Sequence, residues 1–487
     1  MKDWKGINFR VIIRIIGFLL IIEGSFMLTG LPFSLYYGED SFMSLIYSGL
    51  ITGITGIILW FSTRRHPRNI GKKEGYVIVA VTWIVISLFG TLPFLISGTI
   101  PNFTNAFFET ISGFTTTGAT ILTDIETLPK GILFWRSMTH WIGGMGIIVF
   151  TVAILPILGI GGMQLYAAEM PGVTKDKLHP RITATAKRLW GIYLLFTIVE
   201  TILLFLGGMS LFDALCHTFG TVATGGFSTH TLSIAAFSPY IQYVIVIFMI
   251  LAGTNFALHY LALHGQVSKL WKSEEFRYFL FLILSSTVVI TVVLALNSNE
   301  KSLEEAFRAS LFQVTSIITT TGYITDNYLM WPGPIWFFIF LMMFIGGMAG
   351  STGGGVKVVR QLLLLKNSIL ELKRLLHPQA IIPVRMNNQV VPQDIIMKVM
   401  AFFIIYIIFF IIGSGVMALM GLDGPTAIGA TAATIGNIGP GIGMVGPVDN
   451  YDFIPYAGKW VLSFLMLLGR LELFTVLILF SPAFWKK

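Results

Sequence analysis

Long apolar stretches recur along this chain of 487 residues and constrain its fold more than any other feature. They fall roughly at 10–34, 42–63, 76–97, 133–160, 188–208, 239–264, 277–296, 333–349, 399–420 and 459–484. Each is close to the roughly 20 residues that an α-helix needs to cross a bilayer. Only 11% of the residues are charged, against about 25% in a soluble domain. We therefore predict an all-α polytopic membrane protein with about ten transmembrane helices, solvated by membrane lipid.

Charged residues are distributed unequally between the two sides of such a protein. The basic segments would share one side if the helices alternate. They contain Arg64, Arg65, Arg68, Lys72 and Lys73, then Lys175, Lys177, Arg181, Lys187 and Arg188, then Lys269, Lys272 and Arg277, then Lys357 to Arg385, and finally Lys486 and Lys487. By the positive-inside rule this side is the cytoplasm, which also places both termini there. The net charge of +8 would suggest nucleic acid in a soluble protein. Here it is explained by topology, and we expect no nucleic-acid partner.

Four short segments rich in Thr and Gly lie between apolar stretches, all on the opposite, outer side. They cover residues 103–120, 211–227, 303–323 and 424–443 and are too short to span a bilayer. When Gly118, Gly225, Gly322 and Gly439 are taken as equivalent, the spacings are 107, 97 and 117 residues. A period of this length accommodates two spanning helices and a loop. We predict two additional N-terminal helices (1–70) followed by four helix–loop–helix repeats, at 71–175, 176–268, 269–385 and 386–487.

The chemistry of these segments suits a pore for a monovalent cation. One copy of Thr-Thr-Gly fits close helix packing equally well, but four copies on one side favour re-entrant loops. Irregular backbone at membrane depth is tolerated only inside protein or beside water. Rings of loop carbonyls can replace the hydration shell of K⁺, and glycine allows the required backbone conformation. Capping boxes at Ser210-x-x-Asp213 and Ser302-x-x-Glu305 predict short pore helices before two of the loops.

These loops resemble those of the Trk/Ktr/HKT superfamily of K⁺ transporters, most closely the TrkH type, and the resemblance covers nearly the whole chain. It implies one pore per subunit of a homodimer, K⁺ as the transported ion, and a selectivity filter with one key glycine per repeat. Carried over by motif, the filter comprises Thr116, Thr117, Gly118, Ala119, Ala223, Thr224, Gly225, Gly226, Thr320, Thr321, Gly322, Tyr323, Asn437, Ile438, Gly439 and Pro440. Glycine at Gly118 is similar to the K⁺-selective members. The resemblance also implies a cytosolic TrkA-type RCK partner that binds NAD or ATP, since this chain contains no nucleotide-binding domain or organic cofactor site.

Six glycines cluster within residues 346–355, namely Gly346, Gly347, Gly350, Gly353, Gly354 and Gly355. Each glycine inside a helix costs about 1 kcal/mol relative to alanine, so we expect a non-helical segment, with small-residue helix packing as the alternative. A phosphate-binding loop is excluded because no Gly-Lys-Ser/Thr follows. The resemblance implies an intramembrane gate beneath the filter. Lys357 and Arg360 follow at once, so we expect the lower end of this segment to reach the cytoplasmic side.

Arg470 lies in the middle of the last apolar stretch. A charge at that depth normally faces a bundle interior or water. Pairing with Glu200 or Glu472 would explain it structurally. The resemblance instead implies a pore-facing arginine whose charge forms a barrier to cations.

The function that the sequence favours is potassium uptake, without enzyme activity. A Na⁺-coupled KtrB-like carrier remains an alternative, and protons, Na⁺ or the membrane potential alone are all compatible as the driving force. A secondary transporter of a small organic solute would need two inverted halves, whereas these four repeats share one orientation. A membrane enzyme is disfavoured because no acid–base pair or nucleophile motif is present.

Overall fold

The computed structural model of the protein describes residues 7–63, 71–149, 178–297 and 301–486. Its α-helices are α1 (Phe9–Leu28), α2 (Leu31–Tyr36), α3 (Ser41–Ser62), α4 (Lys72–Gly90), α5 (Leu92–Ile96), α6 (Phe103–Phe114), α7 (Lys130–Val149), α8 (Leu178–Leu206), α9 (Leu211–Val222), α10 (Pro239–Gly253), α11 (Phe256–Leu263), α12 (Val267–Lys272), α13 (Glu274–Asn297), α14 (Leu303–Ile318), α15 (Ile335–Met342), α16 (Val358–Leu376), α17 (Gln393–Leu419), α18 (Gly424–Ile435), α19 (Tyr456–Arg470), α20 (Leu473–Leu477) and α21 (Pro482–Trp485). Two short strands, β1 (Arg385–Met386) and β2 (Gln389–Val390), pair antiparallel with Arg385 opposite Val390. The basic residues Arg64, Arg65, Arg68, Lys175 and Lys177 lie outside the described residues.

Membrane-spanning helices account for most of the predicted apolar stretches. By length and hydropathy, six spans occur within the described residues, or up to eight if each of two bent helix pairs counts as one span. The six are Phe9–Tyr36, Ser41–Ser62, Lys72–Ile96, Thr185–Leu206, Glu274–Asn297 and Gln393–Leu419. Of the ten predicted stretches, 133–160 corresponds to α7 and continues beyond the described residues, and 333–349 contains only the short α15. The predicted all-α membrane architecture is confirmed.

The first two spans form a tightly packed pair, in the part of the chain that precedes the four predicted repeats. A Cβ atom on Gly17 would lie 2.8 Å from the carbonyl oxygen of Gly56, and one on Gly24 would lie 2.7 Å from that of Gly49. Real Cβ atoms do not approach so closely, so α1 and α3 depend on these glycines for backbone-to-backbone contact. This is the small-residue packing expected between helices in lipid.

Four short helices, α6, α9, α14 and α18, lie where the sequence predicts pore helices. Each begins at a residue whose side chain accepts a hydrogen bond from the backbone N–H three residues later. These N-caps are Asn102, Ser210, Ser302 and Asp423. Ser302 and Glu305 form the complete predicted capping box, whereas Ser210 and Asp213 form one half of theirs, supplemented by a 2.6 Å bond between the side chains. Capping fixes where each helix starts, and so fixes the loop that follows its end.

The helix that follows each loop is interrupted in the second, third and fourth repeats. α10 and α11 meet at 103° and α19 meets the segment Leu473–Phe480 at 115°. The side chain of Asn255 caps α11 at the first break, and Glu472 has φ +60° at the second. In the third repeat, α15 ends at Met342 and helical structure resumes only at Val358. Irregular backbone therefore interrupts the helix in each of these three repeats.

Candidate functional site

The loops that follow the four pore helices share one backbone conformation. In each loop a residue with a side chain adopts positive φ: Thr116 (49°), Thr224 (55°), Thr320 (59°) and Asn437 (54°). Two residues later a glycine also has positive φ: Gly118 (81°), Gly226 (83°), Gly322 (82°) and Gly439 (95°). Residues other than glycine rarely adopt this conformation, so its occurrence at matching positions identifies four copies of one loop. We call residues 116–118, 224–226, 320–322 and 437–439 the re-entrant loops.

This shared conformation corrects the predicted alignment of the second repeat. Gly226, and not Gly225, corresponds to Gly118, so the prediction was wrong by one residue at this position. Ala223 accordingly precedes its loop, and Phe227 takes the place that Ala119 has in the first repeat. Backbone hydrogen bonds to the carbonyl five residues earlier give the same register: they come from the N–H groups of Thr117, Gly225, Thr321 and Ile438, at 2.7–2.8 Å. The other predicted filter residues lie in the loops or directly after them.

The four loops close into a ring. A Cβ atom on Gly118 would lie 2.1 Å from the carbonyl oxygen of Gly225 in the second repeat. The other three contacts continue around the ring: Gly226 to Thr321 O at 2.1 Å, Gly322 to Ile438 O at 1.9 Å, and Gly439 to Thr117 O at 2.7 Å. Each glycine therefore packs on the carbonyl that precedes the glycine of the next repeat. No side chain fits in these contacts, which explains glycine at all four positions.

The carbonyl oxygens of the re-entrant loops are almost all free of protein donors. Of the twelve, three in each of four loops, all but one accept no hydrogen bond within the described part of the chain. The carbonyls two residues beyond each glycine are all bound instead: Thr120 O by Tyr451 N, Ser228 O by Arg136 Nη1, Ile324 O by the N–H groups of Ile234 and Ala235, and Gly441 O by the hydroxyl of Tyr328. Buried carbonyls normally have partners. Rings of oxygens without protein donors are suited to coordinating a cation.

A cavity of about 90 Å³ adjoins the ring on the side where the loops end, which we call the outer cavity. All four ring glycines line it, together with Arg136, His230 and Asp449. The cavity gives the ring a polar approach from the side on which the loops end.

A buried ion pair braces the first two loops, and the sequence analysis did not identify it. Arg136 Nε donates to Glu109 Oε1 at 2.7 Å, and both side chains are 2% exposed or less. Arg136 also donates to Ser228 O at 3.0 Å, and its guanidinium lies 3.6 Å from the centre of the Phe227 ring. Glu109 accepts hydrogen bonds from the hydroxyl of Thr120 and the N–H of Ile121, each at 2.9 Å. The available signal was an acid within a pore helix and a base within a membrane helix.

Replacing Glu109 with glutamine should destabilise the protein by about 3–5 kcal/mol, because it leaves the buried Arg136 charge without its counter-charge. Thermal unfolding of purified protein in detergent measures this. The double variant Glu109→Gln with Arg136→Met removes both charges and should recover part of the loss. Additive losses in the double variant would contradict the coupling of the two side chains.

The glycine-rich segment between α15 and α16 is non-helical and lies against the inner ends of the pore helices. Gly354 N donates to Thr320 Oγ1 at 2.6 Å, and Thr352 Oγ1 donates to Val222 O at 3.0 Å. A Cβ atom on Gly354 would lie 2.8 Å from Gly436 O. The segment thus contacts the second, third and fourth repeats on the side opposite the outer cavity. Of its six predicted glycines, Gly346, Gly350 and Gly355 have positive φ.

Arg470, at the end of α19, is 3% exposed and donates from Nη1 to Thr352 O at 2.6 Å. Within the described residues its Nε and Nη2 have no hydrogen-bond partner, and it forms no ion pair with Glu200 or Glu472. Glu472 pairs instead with Arg360. The structural alternative of a salt-bridged Arg470 is therefore wrong for Glu472 and has no ion pair to support it for Glu200.

The two bases that follow the glycine-rich segment turn back into the protein. Arg360 is 6% exposed, and Lys357 Nζ donates to Gly353 O. The expectation that the lower end of the segment reaches the cytoplasmic side stays a prediction. Lys357 is thus bound to the segment itself, whereas Arg360 pairs with Glu472, directly before α20.

Comparisons with known proteins agree with this geometry. Residues 42–487 match the family TrkH, described as a cation transport protein. The chain is 44% identical to the Trk system potassium uptake protein TrkH of Salmonella typhimurium, over 99% of this chain and 100% of that protein. It is 36% identical to the Trk system potassium uptake protein TrkG of Escherichia coli, over 98% and 99% of the two chains. The crystal structure of the potassium transporter TrkH from Vibrio parahaemolyticus superimposes with a TM-score of 0.91 at 40% identity, covering 99% of this chain and 100% of that one.

Proposed function

Because this chain belongs to the TrkH family of cation transport proteins, we propose that it takes up potassium ions across a bacterial inner membrane. It is a multi-pass transport protein and not an enzyme. Relatives that match it over its full length are potassium uptake proteins of the Trk system. The potassium ion is its cargo, passing through the protein rather than residing in it as a cofactor.

The closed ring of four re-entrant loops is the observation that carries this proposal. All but one of its twelve carbonyl oxygens lack donors within the described part of the chain, so a dehydrated cation can occupy the place that donors would take. The filter then comprises the residues at 116–119, 224–227, 320–323 and 437–440. These include the predicted set, with Phe227 in place of Ala223.

A gate on the inner side follows from the same arrangement. The glycine-rich segment 346–355 would obstruct the path where it contacts the ends of three pore helices. Arg470 supports this role because it hydrogen-bonds to Thr352 within that segment and brings a positive charge with no ion-pair partner among the described residues. Release of the segment would open the path.

The assembly proposed for this chain is a homodimer with one path per subunit and both termini in the cytoplasm. Its proposed regulatory partner is a cytosolic TrkA-type RCK subunit that binds NAD or ATP. The names of its relatives support membership of a Trk system. The repeat boundaries at 70, 175, 268 and 385 stay predictions.

Uptake of K⁺ or Rb⁺ into liposomes that contain the purified protein tests the function. Uptake that exceeds Na⁺ uptake, and that follows an imposed membrane potential, is the expected result. A strict requirement for external Na⁺ would favour the Na⁺-coupled carrier instead. Saturable uptake of an organic solute without cation flux would overturn the proposal.

A further inference from the structure

The hydroxyl of Tyr451 donates a hydrogen bond to the carbonyl oxygen of Gly439 at 2.6 Å. Gly439 is the ring glycine of the fourth repeat, and its carbonyl is the one exception among the twelve described above. The tyrosine is 2% exposed. Its backbone N–H bonds to Thr120 O at 2.8 Å, and its ring lies 5.6 Å from that of Phe108. Contacts with the first repeat therefore hold this tyrosine of the fourth repeat in place.

We propose that Tyr451 is a positioning residue that weakens one of the four outermost carbonyl ligands of the ring. The inference rests on the proposed potassium uptake and adds a determinant of how tightly the ring binds its ion. A hydrogen bond draws negative charge from a carbonyl oxygen and limits its reorientation toward the path. The number and field strength of coordinating carbonyl dipoles govern cation binding in such rings. With one ligand weakened, the ring holds K⁺ less tightly and releases it sooner.

The consequence for transport is a balance between affinity and rate. Conduction requires that binding be favourable enough to admit the ion but weak enough to let it leave. Three carbonyls without donors and one shared with a tyrosine would shift this balance toward release. The other three repeats contain no equivalent hydroxyl bonded to their ring glycine in the described chain.

Tyr328 offers a matched control within the same chain. It is fully buried, and its hydroxyl also donates at 2.6 Å to a glycine carbonyl of the fourth repeat. Its acceptor is Gly441, at the position whose carbonyl is bound by protein donors in all four repeats. Loss of this bond removes a brace of equal length from the same segment without changing a ring ligand.

The test compares Tyr451→Phe, Tyr328→Phe and wild-type protein in liposomes, with Rb⁺ uptake measured against Rb⁺ concentration. Tyr451→Phe keeps the packing of the aromatic side chain and removes only the hydroxyl. It should lower the half-saturating Rb⁺ concentration about two- to tenfold, the range for one hydrogen bond, and it should also lower the maximal rate. Tyr328→Phe should leave the half-saturating concentration unchanged. Tyrosine fluorinated beside its hydroxyl and incorporated at position 451 is a stronger donor and should raise that concentration.

The possible results separate the two proposals. Absence of uptake by wild-type protein would overturn the function and this inference together. Normal wild-type uptake with an unchanged half-saturating concentration in folded Tyr451→Phe would overturn the inference alone. Equal shifts in both phenylalanine variants would also overturn it, because they would indicate a general loosening of the segment. If Tyr451→Phe did not fold, the fluorinated tyrosine would decide by the direction of its shift, and no shift would overturn the inference.

Discussion

Replacing Gly118 with serine is expected to abolish most of the preference for K⁺ over Na⁺. The new Cβ would lie 2.1 Å from the carbonyl oxygen of Gly225, so one of the two loops must move and the ring must distort. The positive φ of 81° adds backbone strain for any residue with a side chain, of about 1–2 kcal/mol. We expect the ratio of K⁺ to Na⁺ flux in liposomes to fall about tenfold or more, since displaced carbonyls no longer match the ion.

Gly98→Ser is the matched control for this change. Gly98 also has positive φ, at 71°, but no atom lies within 4 Å of the position that a Cβ would take. It therefore carries the same type of backbone strain without a contact in the ring. Selectivity should be normal in Gly98→Ser. If Gly118→Ser folded and kept wild-type selectivity, the first loop would not be part of the selectivity filter.

Replacing Arg470 with methionine is expected to raise basal cation flux. The change removes the 2.6 Å bond to Thr352 O, which holds the glycine-rich segment against the pore helices. Hydrogen bonds to charged groups contribute about 1.5–3 kcal/mol, so the open population should rise about 10- to 100-fold until opening ceases to limit flux. Loss of a buried positive charge also removes repulsion of the passing cation, an effect that is strong at low dielectric. Flux of K⁺ into liposomes without any partner protein measures the combined effect.

Two further variants separate the contributions of the bond and the charge. Arg470→Lys keeps the charge but loses the planar guanidinium that reaches Thr352, so it should give an intermediate flux. Deletion of Gly353–Gly355 removes the part of the segment nearest Thr319 and Gly436 and should raise flux with Arg470 intact. Folded Arg470→Met protein with wild-type flux would show that neither the bond nor the charge limits conduction.

The sequence analysis located the four loops and aligned three of their four ring glycines, but it placed the ring glycine of the second repeat one residue too early. The predicted match relied on the dipeptide Thr-Gly, which selects Gly225 in the second repeat. The four loops instead share a pair of residues with positive φ, two positions apart. Thr224 and Gly226 fit that pair, as do Asn437 and Gly439. Asparagine tolerates positive φ better than most residues, so matching on Thr or Asn two residues before glycine gives the correct register.

Other features depended on contacts that no local pattern encodes. Clustered glycines predicted the non-helical segment correctly because their cost to a helix is local. Lys357 bonds to Gly353, and Arg360 pairs with Glu472, which lies more than a hundred residues further along the chain. The Glu109–Arg136 pair joins a pore helix to the following helix, and Tyr451 reaches its acceptor by a loop. Each required the tertiary structure to place the two partners together.

The direction of the contacts around the ring has a consequence for how such a protein can vary. Each repeat presents its glycine to the next and its carbonyl to the one before, which is the head-to-tail geometry that closes rings of identical subunits. Here all four sectors belong to one polypeptide. A substitution in a ring of identical subunits alters every sector at once, whereas a substitution here alters a single quarter. The backbone contacts that close the ring are the same in all four sectors, but the side chains around it can differ. Asn437 and the Tyr451 hydrogen bond, each present in one sector, are examples.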